Sequence, residues 1–225
     1  LVAQNSIGIS YGTEMSFVSD SGFTQALYAF EEGSGTVARD SSGNNNDGDI
    51  SGATWSTGKS GGALSFNGNA YVVKMNPSSG LKPSTEVAIA AWIKTSATDT
   101  NGAEVASMGD SYALRVEKDG NIKFFYYNGS KWISTKTTGV NVLDGAWHHV
   151  VGQKTGTALE VYVDGVLKGS VSNTGTIAYT LGKDFFTGKH GNAETTYDFK
   201  GVLDEVSVYR QSLNVQEVYN VYNDI

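Results

Sequence analysis

The sequence predicts an all-β protein, a two-sheet sandwich or jelly roll with one short C-terminal helix. Three observations carry this. Short strand-like runs recur at roughly ten-residue spacing from Ala26 onward, several of them ending at Asp-Gly or Asn-Gly. Glycine is abundant (28 of 225 residues) and proline scarce (2), while 39% of residues are hydrophobic and 11% aromatic, which suits a turn-rich β protein better than a disordered chain. Only residues 212 to about 223 read as a helix.

In order, Leu27-Tyr-Ala-Phe30 opens the pattern and stops at Gly33 and Gly35. Ala63-Leu-Ser-Phe66 ends at Asn67-Gly68, and Tyr71-Val-Val73 follows. Val87-Ala-Ile-Ala-Ala-Trp-Ile93 is an unbroken apolar run, as expected of a strand buried on both faces. Tyr112-Ala-Leu-Arg-Val116 leads to Asp119-Gly120, and Ile122-Lys-Phe-Phe-Tyr126 to Asn128-Gly129. Such pairs accept the positive φ of a type I′ turn, so they signal hairpins. Trp147-His-His-Val-Val151 runs to Gly152, and Leu159-Glu-Val-Tyr-Val163 stops at Asp164-Gly165. Val202-Leu-Asp-Glu-Val-Ser-Val-Tyr209 is the last long strand. In the closing helix Leu213, Val218 and Val221 fall near helical spacing, with Ser212 expected as its N-cap. Residues 1–24 are weakly patterned and read as an N-terminal linker or an extra edge strand; residues 25–225 read as one domain.

A chain this long buries about two-thirds of its unfolded surface and needs no covalent staples. It has no cysteine, which excludes disulfides, a thiolate nucleophile and Cys-ligated zinc. The formal net charge of −7 argues against nucleic-acid and anionic-membrane partners. No apolar run approaches the ~18 residues of a membrane span. The chain begins at Leu1, as expected of a piece of a larger exported protein or of a chain whose leader was removed.

Several stretches, in order, resemble the laminin-G-like branch of the concanavalin A-like lectin/glucanase superfamily. They are Leu27-Tyr-Ala-Phe-Glu-Glu-Gly-Ser-Gly35, Asp40-Ser-Ser-Gly-Asn-Asn-Asn-Asp-Gly48, Trp55 and Gly58-Lys-Ser-Gly-Gly-Ala-Leu-Ser-Phe-Asn-Gly68. Ala91-Trp-Ile93, Trp147-His-His-Val150, Val161-Tyr-Val-Asp-Gly165 and Gly201-Val-Leu-Asp-Glu-Val-Ser-Val-Tyr209 continue the series, and Leu213 to Glu217 is similar to the family's closing helix. The resemblance implies a jelly-roll sandwich of two antiparallel sheets. It does not choose among lectins, adhesins, enzyme-appended modules and glycosidases, all of which use this fold.

The run Asp40-Ser-Ser-Gly-Asn-Asn-Asn-Asp-Gly-Asp49 is dense in oxygen donors, the ligands a hard cation takes. It is no EF-hand, since Asn45 stands where the loop glycine belongs and Ser51 where the bidentate Glu belongs. Read from residues alone, it is either a cation loop or an Asx-rich turn held by its own hydrogen bonds. The resemblance implies one structural calcium between this loop and the last long strand. Asp40 and Asp204 would supply carboxylates, Asn45 and Gly48 carbonyl oxygens. Glu205 is expected on the opposite face from Asp204.

Three motifs are declined. Ala53-Thr-Trp-Ser-Thr-Gly-Lys-Ser60 matches a permissive phosphate loop, but turn and strand follow it where a helix is needed. His148 and His149 are adjacent on a strand, so they point to opposite faces and cannot share an ion without a bulge. Asn128-Gly-Ser130 fits a glycosylation sequon and reads as a plain hairpin turn. Catalysis is not expected: jelly-roll glucanases alternate their acids on one strand as Glu-x-Asp-x-Glu, and no such triplet occurs.

Sugars are bound by aromatic faces beside fixed polar groups. Residues 110–135 concentrate both, and residues 184–198 form a long polar loop. The candidate ligand-binding set is Tyr112, Arg115, Tyr126, Trp132 and His190. The expected function is a non-catalytic, lectin-like module of an extracellular or cell-surface protein that binds a glycan. The alternative partner is a surface protein, bound for adhesion or for assembly of a surface layer, virion or filament, and a weaker alternative is a glycoside hydrolase-like enzyme.

Overall fold

The computed structural model describes residues 2–5, 8–11, 23–192 and 194–223. Val2–Asn5 (β1) and Gly8–Tyr11 (β2) pair antiparallel as a separate two-stranded sheet. The rest of the expectation for residues 1–24, as a linker or edge strand, falls largely outside the described residues.

The chain then lays down Thr24–Tyr28 (β3), Val37–Ala38 (β4), Gly48–Ser51 (β5), Thr54–Thr57 (β6), Gly62–Asn67 (β7) and Tyr71–Lys74 (β8). The long strands Val87–Lys94 (β9), Ala103–Met108 (β10), Tyr112–Val116 (β11) and Ile122–Tyr127 (β12) follow. Then come Trp132–Lys136 (β13), Trp147–Lys154 (β14), Ala158–Val163 (β15), Val166–Ser172 (β16), Phe185–Thr187 (β17) and Lys200–Tyr209 (β18), closed by the helix Val215–Asn223 (α1). They build the expected two antiparallel sheets. The first runs β13-β12-β11-β10-β17-β8-β5-β4; the second runs β16-β15-β14-β9-β18-β7-β6, with β3 also on β18.

Alternation decides which side chains fill the space between the sheets. Val87, Ile89, Ala91 and Ile93 of β9 face inward and join one large core with Leu114, Phe124, Tyr126 and Val150. On the other face of the second sheet, Ala90, Val151 and Tyr162 pack under Val218 of α1. This explains the unbroken apolar run of β9: the helix covers the face that solvent would otherwise wet.

Two local details refine the sequence reading. Asp164 and Gly165 both have positive φ (51° and 76°), as a type I′ hairpin between β15 and β16 demands. The helix N-cap is Asn214, not Ser212. Asn214 Oδ1 accepts from the amides of Gln216 and Glu217, and Glu217 reaches back to the Asn214 amide at 2.7 Å, a capping box. Ser212 instead bonds Glu86 through its amide and hydroxyl.

Candidate functional site

The outer face of the first sheet carries the site. Its cross-strand register aligns Arg115 with Lys123 and with Glu104, Phe125 with Ser134, and Tyr127 with Trp132. Directly opposed residues share a face, so these side chains form one patch. A second wall comes from the segment between β17 and β18. It is tied down where the Gly188 amide donates to the Val105 carbonyl, the Glu104 amide to the Tyr197 carbonyl, and the Phe199 amide to the Gly188 carbonyl. Between the two walls lies a pocket of about 270 Å³ lined by Asp110, Arg115, Lys123, Phe125, Trp132, Ser134, His190, Glu194 and Tyr197.

The floor is rigid and charged. Glu104 is fully buried (0% exposed), and its Oε1 accepts from Arg115 Nη2 at 2.5 Å and Nε at 3.2 Å. The guanidinium is clamped between Phe125 (4.7 Å to the ring centroid) and Tyr197 (4.0 Å). Burial raises the Glu104 pKa, against the opposing pull of Arg115 and His190. His190 is nearly buried, its Nε2 lying 3.4 Å from Asp110 Oδ1 and 3.9 Å from Glu104 Oε1, and its ring tilted against Tyr197. Burial works to lower its pKa, but Asp110, Glu104 and Glu194 outweigh that and raise it. Trp132 stands out of this floor, 52% exposed, its ring 5.0 Å from that of Tyr127.

Of the five candidate ligand residues, the structure brings Arg115, Trp132 and His190 together in this pocket. Tyr112 and Tyr126 are corrected. Both are fully buried in the core between the sheets. The Tyr112 hydroxyl donates to the Leu81 carbonyl at 2.8 Å, and that of Tyr126 bonds Asn173. Residues three apart on a strand point to opposite faces, so Tyr112 and Arg115 could never have lined one site. Asp110, Glu194 and Tyr197 lie outside the candidate set but within the long loops 96–111 and 184–198 that the sequence marks as binding loops; which of their residues return onto the sheet has no local signature.

The acidic loop is held by its own hydrogen bonds. Asp40 Oδ1 accepts from the amides of Leu27 (3.0 Å) and Ser42 (2.9 Å), and Oδ2 accepts from Asn46 (2.8 Å). The Asn45 carbonyl accepts from the Lys74 ammonium at 3.0 Å. Gly48 sits in the ladder opposite Ala38. Asp204, fully buried, accepts from the amides of Lys59 (2.8 Å) and Ser60 (3.3 Å) in the β6–β7 turn. Four expected calcium donors therefore serve two separate hydrogen-bond systems, with an ammonium already on one of them. As arranged here they do not fit a calcium ion. No cluster of three or more His, Asp or Glu suited to a metal occurs among the described residues.

The declined phosphate loop forms the β6–β7 hairpin, and the anion its amides cradle is Asp204. Glu205 has φ 49° and sits in a bulge of β18, between the Asp204 and Ser207 pairings. The two histidines do part: His148 pairs with Asp164 and Asp144, while His149 is buried against Trp92 and Tyr222. Two Gly-x-Ser-x-Gly runs escape the sequence reading, Gly8-Ile-Ser-Tyr-Gly12 and Gly58-Lys-Ser-Gly-Gly62. Neither serine sits on a strand-to-helix turn, as a nucleophile elbow requires: Ser10 lies within β2, and Ser60 in the β6–β7 hairpin.

A family model described as the concanavalin A-like lectin/glucanases superfamily (Laminin_G_3) matches residues 66–219. Among solved structures, the chain is similar to domain 4 of AbnA, a GH43 extracellular arabinanase from Geobacillus stearothermophilus, in complex with arabinotriose. The TM-score is 0.72 at 23% identity, over 89% of this chain and 98% of that one. It is also similar to the binding domain of Paraclostridial Mosquitocidal Protein 1 (TM-score 0.63, 16% identity, 90% of this chain and 52% of that one). A third is the binding domain of Botulinum Neurotoxin DC in complex with SialylT (TM-score 0.66, 9% identity, 90% and 52%). The chain spans about half the length of the two toxin domains. No curated protein matches the sequence.

Proposed function

We propose that this chain, which belongs to the laminin-G-like family of the concanavalin A-like lectin/glucanase superfamily, is a non-catalytic carbohydrate-binding module whose ligand lies in the Arg115–Trp132–His190 pocket. The observation that carries the reading is Trp132, a large aromatic left half exposed beside a preorganised set of donors and acceptors. A core has no use for it there, whereas a sugar ring presents a C–H face for it and hydroxyls for the polar wall. Structures of similar fold support it: the arabinanase domain is in complex with arabinotriose and the neurotoxin binding domain with SialylT. The arabinanase is called extracellular, which favours the same setting for this chain. Among the described residues no helix is long and apolar enough to cross a membrane.

A glycan array followed by titration tests the reading. A specific hit should weaken at least about tenfold in Trp132→Ala, the cost of truncating an aromatic anchor. It should survive Tyr126→Phe, which touches only the core. A hit insensitive to Trp132 would move the site elsewhere.

A second reading, protein-mediated adhesion or assembly, is favoured by one observation. Strand β16 is the edge of the second sheet and leaves Val166, Leu167 and Val171 exposed. A blank array with concentration-dependent self-association, abolished by Leu167→Lys, would replace the first reading with this one.

A further inference from the structure

The charge arrangement of the pocket narrows the ligand class. Resting on the carbohydrate reading above, we infer that the pocket takes one residue of a neutral oligosaccharide, with the adjoining residue on Trp132, and rejects acidic sugars.

Among the described residues, each cation that lines the pocket has a carboxylate beside it. Arg115 is spent on Glu104, His190 faces Asp110, and Lys123 lies 4.0 Å from Glu117. Even with His190 counted as a cation, Arg115, Lys123 and His190 face four carboxylates, Asp110, Glu194, Glu104 and Glu117, so the local sum stays negative, as does that of the whole chain at −7. A sugar carboxylate entering here would lose its hydration, find no uncompensated cation, and meet Asp110 and Glu194 at close range. A neutral sugar has the opposite needs. Each hydroxyl both donates and accepts, and the pocket offers both kinds of partner on fixed side chains. Asp110, Glu194 and the Ser134 hydroxyl accept. The Lys123 ammonium donates, as does the guanidinium edge that Arg115 turns away from Glu104.

The size sets the length. A volume of about 270 Å³ lies just below the usual ~300–1,000 Å³ of small-molecule pockets, a size that suits one ring within it. Trp132 stands on β13, the outermost strand of the sheet, so the pocket opens toward the sheet edge and the next ring can leave over the indole. The ligand is therefore a short segment of a neutral polysaccharide and not a free monosaccharide.

The test is an array of neutral and acidic glycans. It is followed by calorimetric titration of wild type and Trp132→Ala with arabinotriose, cellotriose, sialyllactose and trigalacturonate, at low and high salt. A neutral trisaccharide should bind, at least about tenfold more tightly than its monosaccharide, with the gain lost in Trp132→Ala and little response to salt. Preference for sialyllactose or trigalacturonate, weakening with salt and lost in Trp132→Ala, would overturn the neutral assignment and leave the carbohydrate reading standing. Equal affinity for monosaccharide and trisaccharide would overturn the second platform. A blank across the whole array with the protein folded would overturn this inference and the carbohydrate reading together.

Discussion

Substituting Asp40 by alanine separates a loop held by its own hydrogen bonds from one held by a metal. Its two carboxylate oxygens accept three backbone amides, from Leu27, Ser42 and Asn46, at 2.8–3.0 Å. The first ties the acidic loop to β3, and the other two hold the loop on itself. Alanine removes all three acceptors at once. The amides are only partly buried, so water replaces some of the loss, and about 1 kcal/mol per bond is the appropriate scale, or about 3 kcal/mol in total. For a domain of this size 1 kcal/mol moves Tm by about 2–4 °C, so the expected fall is about 6–12 °C. Differential scanning calorimetry of both proteins, in calcium and in chelator, gives the four values needed. The hydrogen-bonded loop requires the same fall in either buffer and an unchanged wild-type Tm. Suppose instead that calcium raises the wild-type Tm while Asp40→Ala ignores it. Then the metal binds the folded state through this residue, and the self-held account of the loop is refuted.

Other outcomes follow from buried groups. His149 lies under α1 with its pKa lowered from 6.5 to about 4, because burial disfavours the imidazolium more than Asp164 favours it. The folded protein keeps this ring neutral, whereas the unfolded chain protonates below about 6.5. Its contribution is therefore intact above that pH and lost as pH falls toward 4, up to about 3 kcal/mol. Urea unfolding of wild type and His149→Phe across this range should show the difference between the two shrinking on acidification; parallel curves would exclude the histidine as the acid-sensitive group. Gly191 packs so tightly that an added Cβ would sit 1.5 Å from the Gly109 carbonyl oxygen. Gly191→Ala should push the segment bearing His190 off the sheet, weakening ligand binding while far-UV dichroism stays that of the folded sandwich. Undiminished affinity would mean that His190 is not part of the binding wall.

The fold was legible because its signals are local and repeated. Alternation along Leu159–Val163, the Asp164-Gly165 turn and the unbroken run of β9 each state their structure within a few residues. Where the reading slipped, a nearby residue competed for the same role. Ser212 and Asn214 are both good caps, and the choice fell to Asn214, whose partner Glu217 stands three residues on. Ser212 was drawn off by Glu86, a residue far away in sequence.

The site was legible in kind but not in parity. The aromatic concentration over 124–132 is real, yet a strand writes its two faces one residue apart, and choosing Tyr126 over Phe125 and Tyr127 moves the choice from the outer face of the sheet to the core between the sheets. Anchoring the face on Arg115 would have corrected this. A charged residue must reach either water or a partner, so it labels the outer side of β11, and the hairpin register then carries that label to Lys123, Phe125 and Tyr127. Trp132 and Ser134 follow from the next hairpin by the same count. The remaining wall could not be counted in this way. His190, Glu194 and Tyr197 meet that face because the segment after β17 folds back over it, held by amides of Gly188, Glu104 and Phe199, and Asp110 joins them from the β10–β11 turn. The acidic loop shows the same limit from the other side. Asp40 and Asp204 each read as a ligand because buried carboxylates need partners, but backbone amides meet that need as well as a cation does, and which of them is near depends on turns the spacing alone does not locate.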